Sequence, residues 1–278
     1  MKVDVRHASH PEAVRAYDTD TLRRHFLVDT VFEGGEIRLT YSHYDRMVVG
    51  GAMPLGAALT LTAPKAIGQE TFLAERELGA LNIGGAGRVL IDGKAYDIAK
   101  YDCLYIGKGA VDIRFESADA GNPAKFYLVS TPAHQPHPTV LLTREQARHL
   151  TFGEAATANK RSIFQFIHPE VCQSCQLTMG LTMLEPGSIW NTMPSHIHDR
   201  RMEAYLYFDL DADQRIFHFM GEPQETRHML VANEQAIISP PWSIHSGAGT
   251  KNYSFIWAMA GDNKSFTDMD QIAIADLR

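Results

Sequence analysis

The chain has little cysteine: Cys103, Cys172 and Cys175 are the only three among 278 residues. So few thiols, unevenly placed, make no disulfide framework, and a reducing compartment is the simpler expectation. Basic residues form no cluster long enough to follow a phosphate backbone, and the formal net charge is −7, which argues against nucleic acid as the main partner. No apolar run approaches the length of a membrane span, and the opening MKVDVRHASHPEAVRAYDTD contains no apolar stretch of the signal-peptide kind. A soluble, cytoplasmic protein with no membrane partner is expected.

Two short motifs also lack what they would need to carry chemistry. Cys172-x-x-Cys175 has no second pair to complete a zinc knuckle, and Cys175 reads as part of an apolar strand face, so both are read as core cysteines. The Gly84–Gly87 run GGAG lacks the lysine and following helix of a phosphate loop and reads as a hairpin turn.

What the chain does contain is short strands. From Glu36 onward, runs such as EIRLTYS, RMVVGG, GALNIGG, RVLIDG and KFYLVS are broken by glycine and proline, at a spacing that leaves no room for regular crossover helices. Helices are expected only at the periphery: one opening at the Ser9-x-x-Glu12 capping box, one capped by Asp20, and a short one in TREQARHL. In CQLTMGLTML, Cys175, Leu177, Met179, Leu181 and Met183 alternate with smaller polar residues, a clear period of two. The proline-rich STPAHQPHP suggests a seam near residues 132–155, dividing the chain into 1–145 and 146–278.

The two halves repeat one pattern of strand, turn, hairpin and closing loop. Setting ELGALNI against RMEAYLY puts Gly79 where the second half has Glu203, with Phe72 and Ala74 where it has His196 and His198. On that registration the first module has no ligands.

The second module is organised around PSHIHDRRMEAYLY. Alternate residues of an extended segment share a face, so His196 and His198 aim at one point, and Glu203 adds an oxygen donor. Two imidazoles and a carboxylate suit a divalent first-row ion, with bonds of about 2.0–2.2 Å if it is zinc. The further ligand such a site needs is His245, in QAIISPPWSIHSGAG. H-x-H-x4-E followed by P-x4-H is the double signature that resembles the cupin barrel, although Trp242 stands where glycine is usual. The expected fold class is all-β: two cupin-type double-stranded β-barrels, a bicupin, with short peripheral helices.

Around the ligands, strand phase places Tyr205 and Tyr207 on the face of Glu203, and His218 is expected to face the same interior from the next strand. The Arg200–Arg201 pair between His198 and Glu203 reads as a polar turn between strands. GEPQETRH contributes a dense polar cluster, with Glu222, Glu225, Arg227 and His228.

The whole chain from near Leu22 onward resembles the 4-deoxy-L-threo-5-hexosulose-uronate ketol-isomerase family, also called 5-keto-4-deoxyuronate isomerase. The resemblance is carried by YSHYDRMVVGGAMP, ERELGALNIGGAG, CQLTMGLTMLEPGSIWNTMPSHIHDRRMEAYLYF, MGEPQETRH, NEQAIISPPWSIHSG and DMDQIAIADLR. It implies zinc held by His196, His198, Glu203 and His245, one ion per subunit, and a homo-oligomer, a hexamer in the family. It also implies the conversion of 5-dehydro-4-deoxy-D-glucuronate to 3-deoxy-D-glycero-2,5-hexodiulosonate in pectin and polyuronide breakdown.

An aldose–ketose conversion needs a group to move a proton between adjacent carbons, with candidates Glu222, Glu225, His218 and Tyr205. It also needs a group to hold the uronate carboxylate, with candidates Arg227, Lys108 and Tyr207. Two other readings stay open: an iron or manganese dioxygenase or decarboxylase, since ligand type alone does not select the metal, and a non-catalytic sugar-binding barrel.

Overall fold

The computed structural model describes residues 1–265 and 268–278. The first of its two compact units comprises Met1–Arg6, Thr30–Arg148 and Phe166–Met179, and the second comprises His7–Asp29, His149–Gln165 and Gly180–Arg278. The chain therefore crosses between units more often than one seam at 145/146 provides for, and two local pairings account for this. Leu27–Val28 adds an edge strand to Gln235–Ser239, which groups His7–Asp29 with the second unit. The carboxylate of Glu77 accepts from the backbone of Cys175, Gln176 and Leu177, which groups that segment with the first.

The same sheet plan occurs twice. In the first half a seven-stranded sheet runs in the order Lys2–Arg6, Glu36–Ser42, Val48–Met53, Phe126–Pro132, Arg76–Asn82, Cys103–Ile106, Val140–Leu142, accompanied by a four-stranded sheet of Leu59–Thr60, Ile113–Ser117, Gly87–Ile91 and Lys94–Ile98. In the second half the seven are Arg148–Phe152, Arg161–Ile167, Thr178–Leu184, Ser254–Gly261, Arg201–Phe208, Gln235–Ser239 and Leu27–Val28. The four are Trp190–Asn191, Ser246–Gly249, Ile216–Glu222 and Glu225–Val231. Chain order within each sheet departs from simple hairpins in the way a double-stranded barrel requires. This is the all-β bicupin architecture.

Side-chain alternation decides which residues reach each interior. Arg76–Asn82 and Arg201–Phe208 are buried along their whole length, as central strands covered on both faces. Ile216–Glu222 alternates instead: Ile216, His218 and Met220 are buried, while Phe217 faces out. In the first unit Leu78 and Ala80 pack with Val89, Ile113 and Phe115 from the smaller sheet, so its interior is apolar.

The ladders also correct the registration of the two modules. Leu78 pairs with Ile106, the last residue of its strand, and with Ser130; Glu203 pairs with Ser239, likewise the last, and with Met259. Leu78, not Gly79, thus occupies the place of Glu203, and Arg76 that of Arg201. A slip of one residue turns every side chain to the other face. Gly79 indeed faces away from the core, where a Cβ would lie 2.7 Å from Met179 Sδ.

Several local expectations shift. The first helix, Pro11–Val14, is capped by His10, whose Nδ1 accepts from Glu12 N, while Ser9 Oγ instead contacts His25 Nδ1 at 3.1 Å. The second, Thr19–Phe26, is capped by Asp18 rather than Asp20, with Thr21 N donating over 2.8 Å. TREQARHL yields only the 3-10 turn Arg144–Gln146 before strand Arg148–Phe152. The GGAG run joins strands of two different sheets and is no hairpin; a Cβ on Gly85 would meet Asn122 O at 2.0 Å. The strand in CQLTMGLTML begins only at Thr178. No helix of the described residues is long and apolar enough to cross a membrane.

Candidate metal centre

His196 opens the two-residue strand His196–Ile197, which pairs with Asp270–Gln271. The chain then turns, with Arg201 N donating to His198 O, and enters the strand that carries Glu203. His245 follows the Pro240–Ser243 turn, closed by Ser243 N donating to Pro240 O, and directly precedes strand Ser246–Gly249. Trp242, in place of the usual glycine, meets Phe26 edge-on at 6.5 Å between ring centroids, so this departure is taken up by packing against the second helix.

The four donor atoms converge. His196 Nε2 lies 3.1 Å from His198 Nε2 and 2.9 Å from His245 Nε2, and Glu203 Oε2 lies 3.3 Å from His198 Nε2 and 3.1 Å from His245 Nε2. Donors about 2.05 Å from one ion stand about 3.3 Å apart in a tetrahedron and about 2.9 Å apart at the cis positions of an octahedron. The observed separations fall in this range. Three imidazole nitrogens so close direct lone pairs at one another unless a cation or protons lie between them. Protons are disfavoured: burial, then His198 and Arg201, pushes His196 down to about 3, and burial with the neighbouring imidazoles holds His245 well below its ordinary value. Neutral imidazoles with an adjacent carboxylate fit a divalent ion. This is the one group of its kind among the described residues.

The surroundings orient these donors. His198 Nδ1 lies 2.7 Å from the carbonyl oxygen of Asp268 and 3.0 Å from Arg201 NH2; since the carbonyl can only accept, the tautomer with its proton on Nδ1 makes the shorter hydrogen bond and leaves Nε2 free as a donor atom. Arg201 NH2 donates to the same carbonyl over 2.8 Å. Arg201 is thus no turn residue: it opens a strand, is 2% exposed, and has Nε and NH1 buried without hydrogen-bond partners, Nε lying 4.0 Å from the Asp268 carboxylate, whereas Arg200 is exposed. The Tyr205 phenol is hydrogen-bonded to Thr192 and Glu203, and burial followed by the Glu203 charge raises it well above its ordinary value.

A cavity of about 270 Å³ opens beside the ligands. Besides His196, His198 and Glu203 it is lined by Arg161, Thr192, Tyr205, Trp257, Met269 and Gln271, among others. Of the candidates for proton transfer and carboxylate binding, Tyr205 alone lines it. Tyr207 and His218 are buried behind it and joined by a 2.8 Å hydrogen bond between the phenol and Nδ1. Glu222 pairs with Arg15 at 2.6 Å, Glu225 faces Glu222 across the hairpin, and Arg227 donates to the carbonyls of Arg15 and Tyr17. None of these three lines the cavity, because the hairpin end is tied to the N-terminal segment. Lys108 belongs to the first unit and pairs with Glu75. Sequence reasoning missed Arg161, Thr192, Trp257, Met269 and Gln271, whose shared position follows from strand order rather than from any local motif.

The buried His218 gives an acid-stability prediction. Burial pushes its imidazole from 6.5 down to about 3, so between those values the unfolded chain takes up a proton that the folded chain refuses. The stability linked to this group is fully present above about pH 6.5 and is lost as pH falls, at up to about 1.4 kcal/mol per pH unit. His218→Asn keeps an acceptor for Tyr207 but cannot titrate. Its denaturation midpoint plotted against pH is expected to fall less steeply below pH 6.5 than that of the parent; equal slopes would refute the assignment.

The paired sheets define a cupin-class barrel protein, and its buried group of three histidines and a glutamate is a candidate metal site. The chain belongs to the KduI/IolB family, which matches residues 26–276. The 4-deoxy-L-threo-5-hexosulose-uronate ketol-isomerase of Halalkalibacterium halodurans is 55% identical over 273 residues, 98% of this chain and 99% of that protein. The protein of the same name from Shouchella clausii is 52% identical over 276 residues, 99% of this chain and all of that one. Among solved structures, an IolB-like protein from Salmonella typhimurium superposes with a TM-score of 0.69 at 15% identity, covering 89% of this chain and 96% of that one. Oxalate decarboxylase of Bacillus subtilis, described with Mn(II) centres, gives 0.54 at 13% identity, covering 79% and 70%. At such identities the structural likeness is one of fold.

Proposed function

We propose that the chain is a zinc-dependent aldose–ketose isomerase converting 5-dehydro-4-deoxy-D-glucuronate to 3-deoxy-D-glycero-2,5-hexodiulosonate in the breakdown of pectin and related polyuronides. The observation that carries the reading is the convergence of His196, His198, Glu203 and His245 at 2.9–3.3 Å beside a cavity, in a chain sharing half its residues with relatives of that name. A bound divalent ion supplies Lewis acidity toward the carbonyl oxygen that becomes enediolate. The reaction exchanges no electrons with a cofactor, so a redox-inert ion suffices, which favours zinc over iron or manganese.

The chain's own groups do the rest. Tyr205, tied to Glu203 and Thr192 and lining the cavity, is the candidate that would hydrogen-bond the reacting oxygens and carry the proton from one carbon to its neighbour. The Tyr207–His218 pair sits behind Tyr205 and holds that wall of the barrel. Trp257, Phe255 and Met259 form apolar walls that exclude water from a reactive keto-aldehyde. A homo-oligomer, hexameric as the family resemblance implies, and a cytoplasmic location consistent with three free buried cysteines complete the proposal.

The test is to supply purified protein with the keto-aldehyde and follow ketose formation by NMR, with metal analysis and oxygen uptake in parallel. Zinc content, no oxygen uptake, and turnover lost on chelation and regained with zinc are expected. Turnover that survives complete metal removal would contradict the proposal, and an iron-loaded protein consuming oxygen would replace it with the oxygenase reading.

A further inference from the structure

The cavity beside the ligands contains two guanidinium groups in different electrostatic situations. Arg201 has counter-charges: Glu203 and Asp268 both act on it, and its NH2 is engaged by a backbone carbonyl. Arg161 has none. Its NH1 donates to Asn159 O over 2.8 Å, which fixes the side chain; burial lowers its pKa, and the titratable groups beside it, Tyr253 and Tyr205, are phenols that stay neutral at ordinary pH. It makes no ion pair with a carboxylate among the described residues. A partly buried guanidinium in a cavity also lined by Ile163 and Trp257, without an anion, carries a desolvation cost that a bound anion would offset.

Strand order sets the lateral separation between the backbones that carry this cation and the donor group. Arg161 opens strand Arg161–Ile167, followed across the sheet by Thr178–Leu184, Ser254–Gly261 and then Arg201–Phe208, which carries Glu203. Neighbouring strands are about 4.8 Å apart, so these three steps cover about 14 Å along the sheet. The Arg161 and Glu203 side chains both reach into the cavity and shorten that span. A six-carbon acid with its first two carbons at the donor group carries its carboxylate about 6 Å away when extended. The planar fork of a guanidinium matches a carboxylate in a way that a point charge does not.

We propose that Arg161 is the residue that binds the substrate's carboxylate and gives this cavity its preference for sugar acids over neutral sugars. The assignment rests on the isomerase reading for the identity of the reacting end, but the recognition of an acid by Arg161 does not. It replaces Arg227 and Lys108 in that role, since Arg227 is engaged by backbone carbonyls outside the cavity and Lys108 by Glu75.

The experiment compares the metal-loaded parent with Arg161→Gln, Arg161→Met and Arg161→Lys. Metal content and thermal midpoint are measured for each, so that a misfolded variant is recognised and the others decide. With the keto-aldehyde substrate, the Gln and Met variants are expected to raise KM about 100-fold with a smaller change in kcat, and the Lys variant to fall between them and the parent, as for loss of an interaction made equally in ground and transition states. Galacturonate and galactose serve as non-reacting ligands in equilibrium binding. The parent is expected to prefer the acid at least tenfold, and the Gln and Met variants to lose that preference.

A folded, metal-loaded Gln or Met variant that keeps both the parent's KM and its acid preference overturns the proposal. So does a parent that binds galactose as well as galacturonate. If the parent prefers the acid through Arg161 yet turns over no keto-aldehyde, the isomerase reading fails and the assignment of Arg161 stands.

Discussion

A His245→Ala protein is expected to come through purification without its divalent ion and with turnover lowered at least about a thousandfold, the scale set by losing the electrostatic stabilisation a metal provides. The effect should be this large because His245 Nε2 lies close to both His196 and Glu203 and so closes the donor group on two sides. The remaining three donors would leave a buried carboxylate facing two imidazoles, with no fourth ligand to offset the cost of stripping water from the ion. The fold should persist. His245 lies between a turn closed by Ser243 N donating to Pro240 O and a strand held by its own ladder; the imidazole adds one hydrogen bond to the Ser243 backbone, but neither the turn closure nor the ladder depends on it. Metal content by mass spectrometry, circular dichroism and isomerase turnover measure the three parts separately. A variant that retains stoichiometric metal would show that His245 is not a ligand.

This site was legible in the sequence because its signal is local. His196 and His198 stand two apart, Glu203 five further on in a strand of plain alternation, and His245 after a proline turn. A period of two carries side-chain direction directly, so Tyr205 could be placed beside the ligands from the sequence. The cavity as a whole was not legible. Arg161, Thr192 and Gln271 meet there because of sheet order and the pairing of His196–Ile197 with Asp270–Gln271, and no local pattern states which distant strands become neighbours. The polar cluster of GEPQETRH misled for the same reason. Density of charge suggested chemistry, while the partners of Glu222 and Arg227 lie over 200 residues earlier, in the N-terminal segment.

The registration of the two modules failed for a different reason. Glycine at position 79 looked like a lost ligand, but it answers a packing demand on the opposite face of the strand, and a shift of one residue was invisible without the ladders. The sequence likewise offers Arg200 and Arg201 as one polar turn, although the two neighbours differ fully in burial. Charge identity alone does not say which of two adjacent arginines enters the barrel.

Glu77→Gln is expected to cost about 3 kcal/mol of stability, a large effect for a conservative change. Glu77 is fully buried and its carboxylate accepts five hydrogen bonds. Oε1 takes those of Gln176 N at 2.7 Å, Leu177 N at 2.8 Å and Thr131 Oγ1 at 3.1 Å, and Oε2 takes those of Cys175 N and Tyr105 OH, both at 2.7 Å. An amide keeps one oxygen for the first group, but its NH2 then confronts the N–H of Cys175, a donor left without an acceptor in a site closed to water. Tyr105 can turn its hydroxyl to accept from the amide, which is why the cost stays near that of one orphaned backbone donor plus the lost charge assistance. Glu77→Ala removes every acceptor at once and is expected to cost more, about 5 kcal/mol. Both values are read from denaturant midpoints at constant slope, and the Gln variant should melt roughly 6–12 °C lower for a chain of this size. A loss below about 1 kcal/mol for the Ala variant would mean that packing alone holds Cys175–Leu177, and that the five hydrogen bonds merely satisfy a carboxylate already committed to burial.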